Sequence, residues 1–88
     1  MTAVSKTELE LLAVYRSPVL RLEDICRPYL NLDYPQARNR AATNMLGVPT
    51  FRLGDSRKAP LLVRICELAT YIDKCAESAG QEWAKSQV

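Results

Sequence analysis

Two adjacent cations, Arg57 and Lys58, stand near the middle of the run LGVPTFRLGDSRKAPLLVRI, residues 46–65. The Gly-Asp-Ser sequence just before them favours a turn. Apolar, β-branched and aromatic side chains flank that turn and predict a short β-hairpin with arms at residues 50–53 and 61–65. The hairpin would place both cations at its tip, where they are suited to contact an anion such as a phosphate.

A second polar set lies just upstream at helical spacing, and it consists of Gln36, Asn39, Arg40 and Thr43. Arginine pairs with guanine and asparagine or glutamine with adenine, so these side chains are suited to read base edges in the major groove. The alternative is an ordinary solvated helix face. Such a face usually mixes charge signs, whereas this one has neither acids nor lysine, and Arg38 lies at its flank.

The charge is unevenly distributed along the 88 residues, whose net charge is +2. Residues 1–33 sum to −1, residues 34–64 to +5 and residues 65–88 to −2. A basic middle third indicates a nucleic-acid surface, although a solvated basic face is the alternative. The predicted phosphate and wing contacts are Arg38, Arg52, Ser56, Arg57, Lys58 and Arg64.

The residue inventory argues against enzymes and metal sites. The chain contains no histidine, which is the commonest general base and metal ligand. Its three cysteines, Cys26, Cys66 and Cys75, lack the paired spacing of a zinc site and fall at apolar helical positions. We therefore predict reduced core cysteines, and no catalytic residue, metal or cofactor.

The pattern of apolar residues, caps and prolines predicts four helices and three short extended segments. The predicted elements are a helix at 7–16, a strand at 19–22 that could join the hairpin, a short helix containing Pro28, a helix at 34–43, the hairpin, and a helix ending near Gly80. This order predicts a mostly helical α+β fold, a winged helix-turn-helix. Its reading helix would be 34–43 and its wing the hairpin. Residues 1–80 would form one DNA-binding domain and 81–88 a C-terminal tail.

The same spacing predicts which side chains face inward. On the reading helix the inward stripe is Tyr34, Ala37, Ala41 and Met45, and on the wing it is Phe51, Leu53, Val63 and Ile65. Most of the apolar residues of the last helix are predicted to be core, and the set is Ile65, Leu68, Ala69, Ile72, Cys75, Ala76 and Ala79. Trp83 lies beyond Gly80, where it either packs back on the domain or contacts a second subunit.

The run VPTFRLGDSRKAP, together with the upstream LRLEDICRPYLNL, resembles the pyocin activator protein PrtN family of bacterial and prophage regulators. That family combines "LPVPTFRLGDSQKAP" with a downstream "V---DLA-YID", and the likeness covers residues 9–74. The chain departs from the family at Arg57, where glutamine is usual, at Pro28, and at Asn44, where glycine is common. Arg57 would strengthen phosphate binding, whereas Pro28 affects the length of the second helix.

The resemblance implies a sequence-specific, double-stranded DNA-binding transcription activator of phage or prophage origin. A more distant likeness to excisionases and Cox-like proteins, within an excisionase- or MerR-like fold, leaves an alternative in which the protein binds and bends attachment-site DNA to direct an integrase. A third alternative is a protein-interaction module that uses Trp83 and the last helix.

The predicted partner is double-stranded DNA. One reading helix and one wing bury about 600–1,000 Å², so we expect a homo-oligomer on DNA. RNA polymerase or an integrase is a further candidate partner. We expect no membrane association, because no apolar run approaches the roughly 20 residues of a membrane helix. The acidic N-terminus is unlike a secretory signal. The expected location is therefore the cytoplasm of a bacterial or phage-infected cell, at the nucleoid.

Overall fold

A computed structural model describes residues 4–87. It has the mostly helical α+β architecture that the sequence predicts, with a winged-helix order of elements. The elements are α1 (Lys6–Tyr15), β1 (Val19–Arg21), α2 (Leu22–Leu30), α3 (Tyr34–Ala42), β2 (Leu62–Arg64) and α4 (Ile65–Ser86).

Side-chain caps fix where α1 and α3 begin. The Ser5 hydroxyl accepts a hydrogen bond from the amide of Glu8 at 3.1 Å. Asp33 and Gln36 form a capping box, in which each side chain accepts a hydrogen bond from the backbone N–H of the other residue. These interactions satisfy amides that have no partner inside the helix. The predicted starts of both helices are therefore confirmed to within one residue.

The two strands form an antiparallel pair in which Val19 faces Arg64 and Leu20 faces Val63. The prediction that the segment at 19–22 could join the hairpin is confirmed, and the structure shows that its partner is the second arm. Leu22, Ile25, Val63 and Leu68 are fully buried where β1, α2, β2 and α4 meet. This core fixes the position of α2, on which α3 packs.

A tyrosine pair links α1 to α2. The Tyr15 hydroxyl donates a hydrogen bond to the Tyr29 hydroxyl at 3.2 Å, and the rings meet edge to face with centroids 6.5 Å apart. This hydrogen bond and partial burial raise the pKa of Tyr15 to about 12. The Tyr15 side chain thus links the C-terminal ends of α1 and α2.

The predicted wing hairpin is shorter than expected. Among residues 4–87, its arms pair at one bridge, where Phe51 and Leu62 exchange hydrogen bonds of 3.0 and 2.8 Å. In this register the next hydrogen-bonded positions of the ladder would include Pro49 on one side and Pro60 on the other. Proline has no N–H to donate, so pairing stops after one step. The wing is a loop closed at its base.

Two side chains predicted to face inward are exposed. Leu53 is 66% exposed because it lies beyond the bridge, in the turn region of the wing. Met45 is 73% exposed because α3 ends at Ala42 and Asn44 adopts a left-handed conformation with φ of 57°. The reversed chain is held by a hydrogen bond from the Met45 amide to the Arg40 carbonyl at 2.8 Å.

The last helix is longer than predicted. It continues through Gly80 to Ser86, and residues 73–86 are all exposed. Ile65, Leu68 and Ala69 are buried and Ile72 is half-buried, whereas Cys75, Ala76 and Ala79 are exposed. The prediction of Cys75 as a core cysteine is therefore wrong, as is the predicted helix end near Gly80. Cys26 is buried and Cys66 half-buried. No helix within residues 4–87 has the combination of length and apolar character that crossing a membrane requires.

Candidate nucleic-acid interface

A basic groove separates the wing from α3 and β1. It has a volume of about 520 Å³, and its lining includes five cations and one acid. The cations are Arg21, Arg38, Arg52, Arg57 and Lys58. The acid, Glu23, is engaged by Arg21 at 3.4 Å. The excess of positive charge makes this groove suited to a strand of phosphates.

Each wall of the groove positions its cations in a different way. Arg52 bridges the two wing arms, because its Nε donates a hydrogen bond to the Ala59 carbonyl at 3.0 Å. The Ser56 hydroxyl accepts from the Lys58 amide at 3.1 Å and so shapes the tip. Gly54 takes a φ of 81°, which the tip turn requires. On the opposite wall, the Arg38 guanidinium lies 6.0 Å from the centre of the Tyr34 ring.

The outer face of α3 presents the side chains that the sequence marks as base readers. Gln36, Asn39, Arg40 and Thr43 are all exposed. Two of them have additional local roles. The Gln36 carbonyl oxygen accepts from the Asp33 amide at 3.3 Å, so its amide group remains available to donate. The Thr43 hydroxyl lies 3.2 Å from the Arg40 carbonyl and 3.3 Å from the Asn39 carbonyl.

Two residues of this surface were not predicted from the sequence. Met45 lines a shallow cavity of about 490 Å³ with Asn39, Arg40 and Thr43, which gives this face an apolar edge. Arg21 enters the basic groove because β1 pairs with β2 beside the wing. The reversal after α3 is a local turn at Asn44, whereas strand pairing is a tertiary feature. The segment charge count also gave no sign of Arg21, because the charges of its acidic neighbours Glu23 and Asp24 offset its own.

Arg64 is set apart from the other predicted phosphate contacts. It lines a separate cavity with Glu8, Cys66 and Asp73, between α1 and α4. The structure therefore brings together Arg38, Arg52, Arg57 and Lys58 in the groove, with Ser56 shaping its tip. Arg64 lies near acidic side chains on another part of the surface, where phosphate is less favoured.

The arrangement as a whole combines a cationic groove with an exposed polar helix face. Both are connected to the core, because α3 packs on α2 and the second wing arm continues into β2, which pairs with β1. Among the residues that the structure describes, no cluster of three or more histidine, cysteine or acidic side chains is placed to hold a metal.

Comparisons with known proteins identify the family. Comparison with curated proteins and comparison with solved structures each gave no match. A family model described as pyocin activator protein PrtN matches residues 7–79 and so covers nearly all of α1, both strands, α2, α3, the wing and about two thirds of α4. The chain belongs to the pyocin activator protein PrtN family.

Proposed function

We propose that the protein is a sequence-specific double-stranded DNA-binding transcription activator of a phage or prophage. The observation that supports this most is the groove containing five cations beside the exposed polar face of α3. The chain's membership of a family of activator proteins supports the regulatory role.

The two parts of this surface have different tasks. The reading helix α3 enters the major groove, where Asn39, Arg40 and Thr43 meet base edges. The groove cations, with Arg57 and Lys58 at the wing tip, neutralise the phosphate backbone and fix the orientation of α3. Phosphate contacts carry no sequence information, so discrimination between operators depends on α3.

Binding to duplex DNA at several salt concentrations tests this division. The probes are a duplex from the region upstream of the chain's own gene and a shuffled duplex of equal length and composition. The double variant R57A/K58A should weaken both duplexes alike and reduce the slope of log affinity against log salt by about 1.8, since each phosphate contact contributes about 0.9. R40A should weaken the preferred duplex selectively, by about 1–3 kcal/mol.

K6A is the matched control for loss of one positive charge, because Lys6 is at the start of α1 and does not line the groove. It should leave both affinities and the salt slope close to those of the unmodified protein. Salt-independent binding, or equal affinity for the two duplexes, would contradict the proposal.

A further inference from the structure

A second cavity lies beside the basic groove, between the C-terminal half of α3 and the arms of the wing. It has a volume of about 250 Å³, and its lining combines two guanidinium groups with one hydroxyl and several apolar side chains. We call it the α3–wing cavity, and its lining residues are Arg38, Ala41, Ala42, Thr50, Phe51, Arg52 and Leu61. Such a lining suits a group that is apolar on one side and carries an anion on the other.

The α3–wing cavity and the basic groove are continuous. Arg38 and Arg52 line both of them and therefore lie where the two meet. The basic groove also contacts Tyr34, the first residue of α3, and the α3–wing cavity contacts Ala42, the last. Together the two cavities follow α3 along its whole length, with the two arginines between them.

Both arginines are free to bind an anion. They are exposed, and within residues 4–87 neither forms an ion pair. Arg52 uses only its Nε–H, which donates to the Ala59 carbonyl, so the four N–H groups of its terminal nitrogens remain available. Arg38 faces the Tyr34 ring at 6.0 Å, a contact that occupies none of its N–H groups. Because guanidinium groups bind phosphate through paired hydrogen bonds, these two can hold one phosphate from opposite sides.

We propose that Arg38 and Arg52 jointly hold a single backbone phosphate of DNA, and that the neighbouring deoxyribose sits in the α3–wing cavity against Phe51 and Ala42. A deoxyribose presents carbon atoms beside a phosphate, which matches this lining. A free inorganic anion would use the arginines and leave the apolar side chains without a partner. The proposal rests on the proposed DNA-binding function and adds a detail to it. Since one arginine belongs to α3 and the other to the wing, the shared phosphate fixes the register of α3 on the bases.

Salt dependence distinguishes one shared phosphate from two separate ones. Each neutralised phosphate contributes about 0.9 to the slope of log affinity against log salt. The double variant R38A/R52A should therefore reduce the slope by about 0.9, on the upstream duplex and on the shuffled one. R57A/K58A removes the same number of charges and should reduce it by about 1.8.

A reduction of about 1.8 for R38A/R52A would show two separate phosphates, and an unchanged slope would show none. Either result would overturn the shared phosphate while leaving DNA binding itself intact. Salt-independent binding by the unmodified protein would instead contradict both the proposed function and the shared phosphate. The two failures are therefore distinguishable.

A methylphosphonate scan locates the shared phosphate. Each phosphate of the upstream duplex is replaced in turn by a neutral methylphosphonate. One position should weaken binding by about tenfold, as expected for hydrogen bonds to a charged group. R38A and R52A should each lose most of this effect at that same position, whereas R57A, which removes a cation from the wing tip, should retain it. Loss of the effect at different positions in R38A and R52A would overturn the proposal.

Filling the α3–wing cavity tests whether it holds the sugar. Ala42 is exposed, so A42L adds apolar bulk to the lining without displacing the core. It should weaken the upstream and shuffled duplexes alike, by about tenfold, because sugar contacts carry no sequence information. A13L is the matched control, since Ala13 is an exposed alanine of α1 that lines neither cavity. Circular dichroism checks that both variants are folded. Unchanged affinity in A42L, or a loss confined to the upstream duplex, would overturn the sugar's placement.

Discussion

At the scale of single residues, the candidate interface depends on side chains whose positions are set by their immediate backbone. Met45 is the clearest case. Its place in the sequence continues the inward stripe of Ala37 and Ala41, yet the left-handed Asn44 turns it outward beside Asn39 and Arg40. An exposed methionine next to hydrogen-bonding side chains adds apolar contact to a polar reading surface. The 5-methyl group of thymine is the apolar feature that the major groove offers.

We therefore expect Met45 to contact a thymine methyl in the preferred duplex. Replacing thymines one at a time by deoxyuridine removes that methyl and leaves base pairing intact. At one position the unmodified protein should lose about three- to tenfold in affinity, whereas M45A should show no further loss there. M45L, which keeps the apolar bulk, is the control and should retain sensitivity to uracil. Equal uracil effects in M45A and the unmodified protein would exclude the contact.

At the scale of elements, local sequence predicts the bounds of α1 and α3 to within about one residue, but not the end of α4 or the extent of the strand ladder. The caps at Ser5 and Asp33 use neighbours three residues away, so they are readable from the chain. The predicted end of α4 near Gly80 was wrong, because one exposed glycine destabilises a helix by only about 1 kcal/mol and does not end it. The predicted extent of strand pairing in the wing was too long. Pro49 and Pro60 stop the pairing only in the register that the two arms adopt, and that register is not evident from the sequence.

The capping box of α3 is the element-scale feature with the most direct consequence for the interface. D33A removes the acceptor for the Gln36 amide, which lies 2.9 Å away, and should lower the free energy of unfolding by about 0.5–2 kcal/mol. D33N keeps an acceptor and should cost less than half as much. Urea denaturation measures both, and equal losses would show that the cap does not stabilise α3.

At the scale of the whole molecule, a close contact joins α4 to the connector between α3 and the wing. The connector between α3 and the wing passes over the ring of Tyr71 on α4 at Gly47. A Cβ atom at this position would overlap the Cε1 and Cδ1 atoms of that ring. Gly47 therefore lets the connector lie close to α4, and this contact fixes where the wing leaves the core. It is invisible in the sequence, because 24 residues separate the two partners.

A cycle of substitutions at this contact tests whether it determines the geometry of the interface. G47A should lower the free energy of unfolding by about 1–3 kcal/mol, because the added methyl group overpacks the site. In a Y71A background the same change should cost at least 0.5 kcal/mol less. G80A is the matched control, since a Cβ there meets nothing within 4 Å, and it should stabilise α4 by about 0.5–1 kcal/mol. If G47A costs the same with and without the Tyr71 ring, the strain comes from the connector itself, and contact with α4 does not position the wing.

If the contact does position the wing, G47A should also weaken duplex binding under conditions where the protein remains folded, and Y71A should partly restore that affinity.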